Sequence, residues 1–152
     1  MAKKKTDNGE ISLGLLPDLV GYQLRLAQIA LFRDFSETLG DFEITPGLFG
    51  VLVIIEANPD LKQSELAKAT YLDRSTVVSV IDGLERRNLV ERRAAPNDRR
   101  SNALRLTADG TALLKKLKRL VADHEKRLVS NLSADERETL VTLLQKVFPD
   151  RR

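Results

Sequence analysis

The stretch "DRSTVVSVIDGLERRNLVERRAAPNDRRSNALRLT", Asp73 to Thr107, switches from a helical to a strand-like period at Asn88, and that switch decides the fold. Val77, Val80, Ile81 and Leu84 recur at i, i+3, i+4 and i+7, the stripe of an amphipathic helix with Asp73 as its N-cap. Ser75, Ser79, Asp82 and Arg86 fall on the opposite side. After Asn88, "LVERRAA" and "SNALRLT" flank "PNDRR", and Leu104 and Leu106 alternate with Arg105 and Thr107 as a half-buried strand requires. Upstream, "LKQSELAKAT" reads as a two-turn helix whose apolar face is Leu66, Ala67 and Ala69, and "YLD" separates it from the next helix. Helix, turn, helix and two-stranded hairpin is the order of a winged helix-turn-helix.

Helices extend the pattern on both sides. From Ser12 to about Leu39, Leu16, Leu19, Val20, Leu24, Ala27, Leu31, Phe35 and Leu39 recur at threes and fours, which predicts one long amphipathic helix despite Pro17. "ITPGLFGVLVIIEANPD" is a short, buried helix with Thr45 as N-cap and Pro46 at its first position. A second long helix from Thr107 carries Leu113, Leu114, Leu117, Leu120, Val121, His124, Leu128 and Val129 inward, with Lys115, Lys116, Lys118 and Arg119 outside. "SADE", Ser133 to Glu136, is a capping box that opens a last helix ending at Phe148 before Pro149. The expected fold is mainly α with a small two- to three-stranded antiparallel wing. Its expected parts are a disordered basic arm (1–11), an N-terminal helix (12–44), the winged module (45–110) and C-terminal helices (111–152).

Composition narrows the chemistry. The 152 residues include no cysteine and one histidine, which excludes disulfides and thiolate chemistry and argues against a transition-metal site; no cofactor or metal is expected. No run approaches the roughly 18 apolar residues of a membrane span, and "MAKKKTDNGE" has no apolar stretch behind its lysines, so a cytoplasmic protein without membrane contact is expected. There is no G-x-S-x-G and no phosphate-cradling glycine loop, so an enzyme is not expected. The formal net charge is only +3, yet Glu85 to Arg105 holds seven arginines against three acids, a local excess of four. A positive field of that density favours a polyanion.

Double-stranded DNA is the polyanion that suits the module. A recognition helix enters the major groove N-terminus first, where Arg74, Ser75, Thr76 and Ser79 combine short reach with donors and acceptors, and Arg86 lies further along the same face. Free N–H groups at the helix start favour a nearby phosphate. In the hairpin an arginine suits a narrow minor groove better than a lysine, because its planar fork loses less on desolvation. Asp98, two residues before Arg100, either holds that guanidinium extended or shapes the backbone as an Asx turn. Arg99 is left as a phosphate partner. The readings weighed against sequence-specific regulation are a constitutive or architectural DNA binder and a helical protein-interaction scaffold.

The longer stretch "LDRSTVVSVIDGLERRNLVERRAAPNDRRSNALRLTADG" resembles the recognition helix and wing of the MarR family of bacterial transcriptional regulators. The resemblance lies in D-R-S-T, L-E-R-R, L-V-E-R-R, the D-R-R tip and L-x-L-T-x-x-G, with Asn88 where the family usually has glycine. It implies that Arg100 enters the minor groove, that Asp98 orients it, and that Arg74 to Ser79 read the major groove. It also implies an obligate homodimer joined by the terminal helices, which fits their surplus of apolar face. A pseudopalindromic operator with half-sites about 34 Å apart follows. Finally, it implies a repressor released by a small aromatic or acidic effector, of which an acyl-CoA thioester is one type, bound between the dimer helices and the DNA module. Tyr22, Arg25 and His124 are the candidate effector residues; the competing reading is a core residue for Tyr22 and His124 and a surface ion pair for Arg25.

Overall fold

The structure, a computed structural model, describes residues 11–95 and 98–148, with backbone alone at 95 and over 98–102. The described elements are α1 (Val20–Leu39), α2 (Pro46–Ala57), β1 (Leu61–Lys62), α3 (Gln63–Thr70), α4 (Arg74–Arg86), β2 (Val90–Ala95), β3 (Asp98–Leu106), α5 (Ala108–Leu128) and α6 (Ala134–Val147). The helix starts follow local chemistry. Thr45 accepts from the Leu48 N–H at 3.2 Å with Pro46 behind it, and Thr107 accepts from the Gly110 N–H at 2.9 Å. Ser133 and Glu136 form the reciprocal capping box, at 3.3 and 2.8 Å.

Two expectations need correction. The first helix begins at Val20 rather than near Ser12: Leu16–Asp18 closes only a 3-10 turn, and Leu19 is extended at φ −89°, ψ 124°. Pro17 has no N–H to give a helix running through it, so the regular hydrogen-bond ladder starts after it. The helix expected from Leu61 starts instead at Gln63. Leu61 and Lys62 form a short third strand, because Leu61 pairs with Leu104 and Lys62 with Ala103. The sheet order is β1-β3-β2, all antiparallel, with Val90 opposite Leu106 and Ala94 opposite Asn102, then a register shift that brings Ala95 opposite Asp98.

The core sits where the helix-turn-helix meets the long helices. Phe35 and Leu39 of α1, Val51, Leu52 and Ile55 of α2, Leu66 of α3, Val77, Ile81 and Leu84 of α4, Leu104 of β3 and Leu114 and Leu117 of α5 are all buried there. The α4 stripe is therefore used as its spacing predicts, with Val80 packed at the margin. By contrast, α6 buries no residue, and α1 buries only its last two apolar positions, Phe35 and Leu39. Among the described residues no single helix is long and apolar enough to cross a membrane.

A tight joint links the end of α4 to the start of α5. Asn88 adopts the left-handed conformation at φ 56°, one that asparagine tolerates better than other non-glycine residues. Its side-chain amide donates to Asp109 at 2.8 Å, and its carbonyl accepts from the Thr107 hydroxyl at 2.6 Å. The Thr107 N–H donates to the Leu89 carbonyl at 3.1 Å. Gly110 packs so closely on that strand start that a Cβ would lie 1.9 Å from the Leu89 carbonyl oxygen. The threonine and glycine of L-x-L-T-x-x-G thus fasten the wing and recognition helix to α5.

Candidate nucleic-acid interface

The first turn of α4 is organised by Asp73. Its Oδ1 accepts from the Thr76 N–H at 2.8 Å and from the Ser75 hydroxyl at 2.5 Å, while Oδ2 accepts from the Thr76 hydroxyl at 2.6 Å. The Ser75 hydroxyl first, and then Thr76 through its hydroxyl and N–H, hold the Asp73 carboxyl well below the usual carboxylate range. Asp73 thus occupies the Thr76 N–H and sets its own negative charge beside the helix start where a phosphate is expected. Ser79 donates to the Ser75 carbonyl one turn back, at 3.1 Å. Arg74 is exposed and pairs with no acid among the described residues. Arg86 is exposed too, its Nε donating to the Asp82 carbonyl at 3.3 Å. Arg74, Ser75, Ser79 and Arg86 are thus brought to the solvent side of α4, with Thr76 half-buried beside them.

The arginine-rich window divides into two groups that spacing alone does not distinguish. Arg92 is an internal brace: it reaches Gln63 of α3 at 3.1 Å, Asp82 of α4 at 2.7 Å and the Glu85 carboxylate, whose other oxygen accepts the Arg92 backbone N–H at 3.0 Å. Arg105 grips both oxygens of Asp60 at 2.7 and 2.5 Å and holds that carboxyl below its ordinary range. Arg87 donates to the backbone carbonyls of Glu43 and Phe42 at 3.0 and 2.6 Å, tying α4 to the turn before α2. Arg93 pairs with Glu91 at 2.6 Å. Sequence reasoning missed these braces because partners such as Asp60 and Arg105 are 45 residues apart. For Arg92 a signal existed in Glu85, seven residues earlier, but only the turn at Asn88 makes the two meet.

Asp98, Arg99 and Arg100 open β3 at the turn end of the wing hairpin. Asp98 lies opposite Ala95, and the register shifts between that pair and Ala94 opposite Asn102. Their side chains, and the turn expected of Pro96 and Asn97, lie outside the described residues.

The three effector candidates do not converge within one chain. Tyr22 is half-buried and Arg25 exposed, both in the first turns of α1. His124 is fully buried at the α1–α5 contact, where its Nδ1 hydrogen-bonds Asp34 and its ring meets Phe35 edge-on at 5.4 Å. Arg127 joins this cluster, donating to Asp34 at 3.2 Å and to Thr38 at 2.6 Å. His124 first, then Arg127, lowers the Asp34 carboxyl from its ordinary value. Asp34 lies twelve residues beyond Tyr22, about 18 Å along the helix axis, so His124 is far from the other two candidates. It sits as a core histidine, the competing reading of that residue.

Comparison with known proteins matches this arrangement. A family model described as the MarR family matches residues 44–101. A Thauera aromatica protein whose name assigns it to transcriptional regulation of the hcr operon is 38% identical over 144 residues, covering 94% of this chain and 87% of that protein. The multiple antibiotic resistance protein MarR of Escherichia coli is 36% identical over 118 residues, covering 77% and 82%. Among solved structures, the transcriptional repressor CouR bound to a 23-mer DNA duplex superimposes with a TM-score of 0.87 at 39% identity, covering 91% of this chain and 99% of that one. The same repressor bound to p-coumaroyl-CoA gives 0.84 at 36% identity, covering 93% and 99%.

Proposed function

The chain belongs to the MarR family of transcriptional regulators, and on that premise we propose that it is a homodimeric repressor that leaves a pseudopalindromic operator when a small aromatic effector binds. The observation that carries the DNA-reading part is the first turn of α4, polar and open on a module whose other face is a closed core. Arg74, Ser75, Thr76, Ser79 and Arg86 are its major-groove and flanking contacts. Asp98, Arg99 and Arg100 are the wing contacts, with Arg100 in the minor groove.

The dimer reading rests on the apolar surface left outside the core. Leu19, Val20, Leu24 and Ala27 face Leu140, Leu143, Leu144 and Val147 across an open groove of about 520 Å³. Val20 is 67% exposed and Leu143 52%, so one copy leaves this surface in water. A second copy covers it, with 12–44 and 111–152 as dimerisation regions and 45–110 as the DNA-binding region. Two-fold symmetry then sets half-sites about 34 Å apart.

For the effector, the CouR complex with p-coumaroyl-CoA supports an aromatic acyl-CoA thioester, and Tyr22 with Arg25 offers such a molecule an aromatic ring and a cation on one helix. An effector of this kind acts through its differential affinity for the DNA-bound and free arrangements. The test is a footprint on the DNA upstream of the protein's own reading frame, with and without p-coumaroyl-CoA and the free phenolic acid. Protection that disappears with the thioester supports the proposal. Protection unchanged by either compound favours a constitutive DNA binder.

A further inference from the structure

We propose that Ser75 and Thr76 read the operator as hydrogen-bond acceptors, their protons being held by Asp73, and so select the amino groups of adenine or cytosine. The proposal rests on the reading of α4 as the recognition helix and concerns what that helix recognises.

A hydroxyl carries one proton and two lone pairs. The Ser75 hydroxyl lies 2.5 Å from one oxygen of Asp73 and the Thr76 hydroxyl 2.6 Å from the other. An ionised carboxylate only accepts, so the direction of both bonds follows from chemistry without sight of the hydrogens. Bonds to an ionised acceptor are roughly twice as strong as neutral ones. Turning either proton toward a base would exchange such a bond for a neutral one. What remains for DNA is lone pairs.

In the major groove the base donors are the adenine N6 and cytosine N4 amino groups; guanine and thymine present acceptors there. Guanine beneath Ser75 or Thr76 would set acceptor against acceptor. Arg74, the preceding residue, is exposed, has only donors and suits guanine or a phosphate. One turn of helix therefore separates two polarities. Ser79 is held more loosely, its partner being a neutral carbonyl at 3.1 Å, and lies outside the proposal.

The experiment selects binding sites for the full-length protein from a randomised duplex library and repeats the selection with Ser75→Ala and Thr76→Ala to find the positions each residue reads. At those positions adenine is replaced by purine, which lacks the 6-amino group, or by 7-deazaadenine, which lacks the N7 acceptor; for cytosine, pyrimidin-2-one removes the amino group. We expect the missing amino group to weaken wild-type binding roughly fivefold and the matching alanine variant not at all, with 7-deazaadenine neutral. Asp73→Asn retains a good N-cap but offers a donor in place of one oxygen, freeing a hydroxyl proton, so guanine or thymine becomes tolerated there. Guanine enriched beneath Ser75 or Thr76, a penalty from 7-deazaadenine equal to that from purine, or alanine variants with unchanged preferences would overturn the proposal. If Asp73→Asn fails to fold, the base analogues decide with the wild-type protein. Failure to enrich any site removes the DNA-reading function itself, whereas specific sites with the wrong analogue pattern remove only this proposal.

Discussion

Helices α4 and α6 carry similar apolar repeats and meet different fates. In α4, Val77, Ile81 and Leu84 vanish into a core built by α2, α3, β3 and α5. In α6, Leu140, Val141, Leu143, Leu144 and Val147 all stay exposed. Periodicity says that a face is to be buried; it does not say by which chain. The winged module finds its cover between Phe35 and Leu117 of its own chain, whereas the first turns of α1 and all of α6 leave their apolar residues outside that core.

The comparison breaks first at the joint between the two regions. Gly110→Ala places a methyl group against the Leu89 carbonyl, and the backbone must yield, so we expect a loss of about 3 kcal/mol in urea unfolding. Leu52→Ala, at the centre of the module, is expected to cost about 2–5 kcal/mol by leaving a cavity. Wild-type stability in either variant would mean that the module is looser than its packing indicates. For α6 the expectation differs in kind. Leu143→Asp puts a charge on the exposed groove, and sedimentation should show monomers with the far-ultraviolet circular dichroism of the folded protein. A variant that stays dimeric would place the interface elsewhere.

Smaller effects sharpen the contrast in charge. Arg100→Ala should weaken operator binding and reduce the slope of log affinity against log salt by about one phosphate equivalent. An unchanged slope at several salt concentrations would remove Arg100 from the wing contact. Asp98→Ala should also weaken binding, even though it makes the wing more positive; tighter binding would show Asp98 to be only a repelling charge.

The smallest effect concerns Asp34. Hydrogen bonds from His124 and Arg127 lower its folded-state pKa, so its contribution is present above the ordinary carboxylate range near 4 and is lost as pH falls through the depressed value. Asp34→Asn should therefore flatten the fall in melting temperature on acidification below about pH 4, and identical pH profiles would count against the cluster.

Much of the candidate site was legible because its chemistry is local. Asp73, Thr45 and the pair Ser133 and Glu136 cap helices within four residues of themselves, and each does so as the spacing predicts; Thr107 caps α5 in the same way. The stripe of α4, the wing strands and the left-handed Asn88 follow from the same short-range rules. Pro17 is compatible with the first turn of a helix, yet the chain reaches its regular ladder only at Val20. The Leu61–Lys62 strand escaped notice because two residues show no period and acquire strand geometry only from β3.

By itself, then, the sequence determined a winged helix-turn-helix between apolar helices, since caps, periods and turns depend on neighbours a few residues away. Only the tertiary structure decided which arginines face outward. Arg87, Arg92 and Arg105 look in sequence like Arg74 and Arg86, but they are consumed by Phe42, Glu43, Gln63, Asp82, Glu85 and Asp60. It likewise withdrew His124 into a core contact with Asp34 and turned Ser75 and Thr76 toward Asp73. A charge or a hydroxyl is chemically defined by its type, but what it can still offer a partner depends on which folded neighbours have already taken its protons or its field.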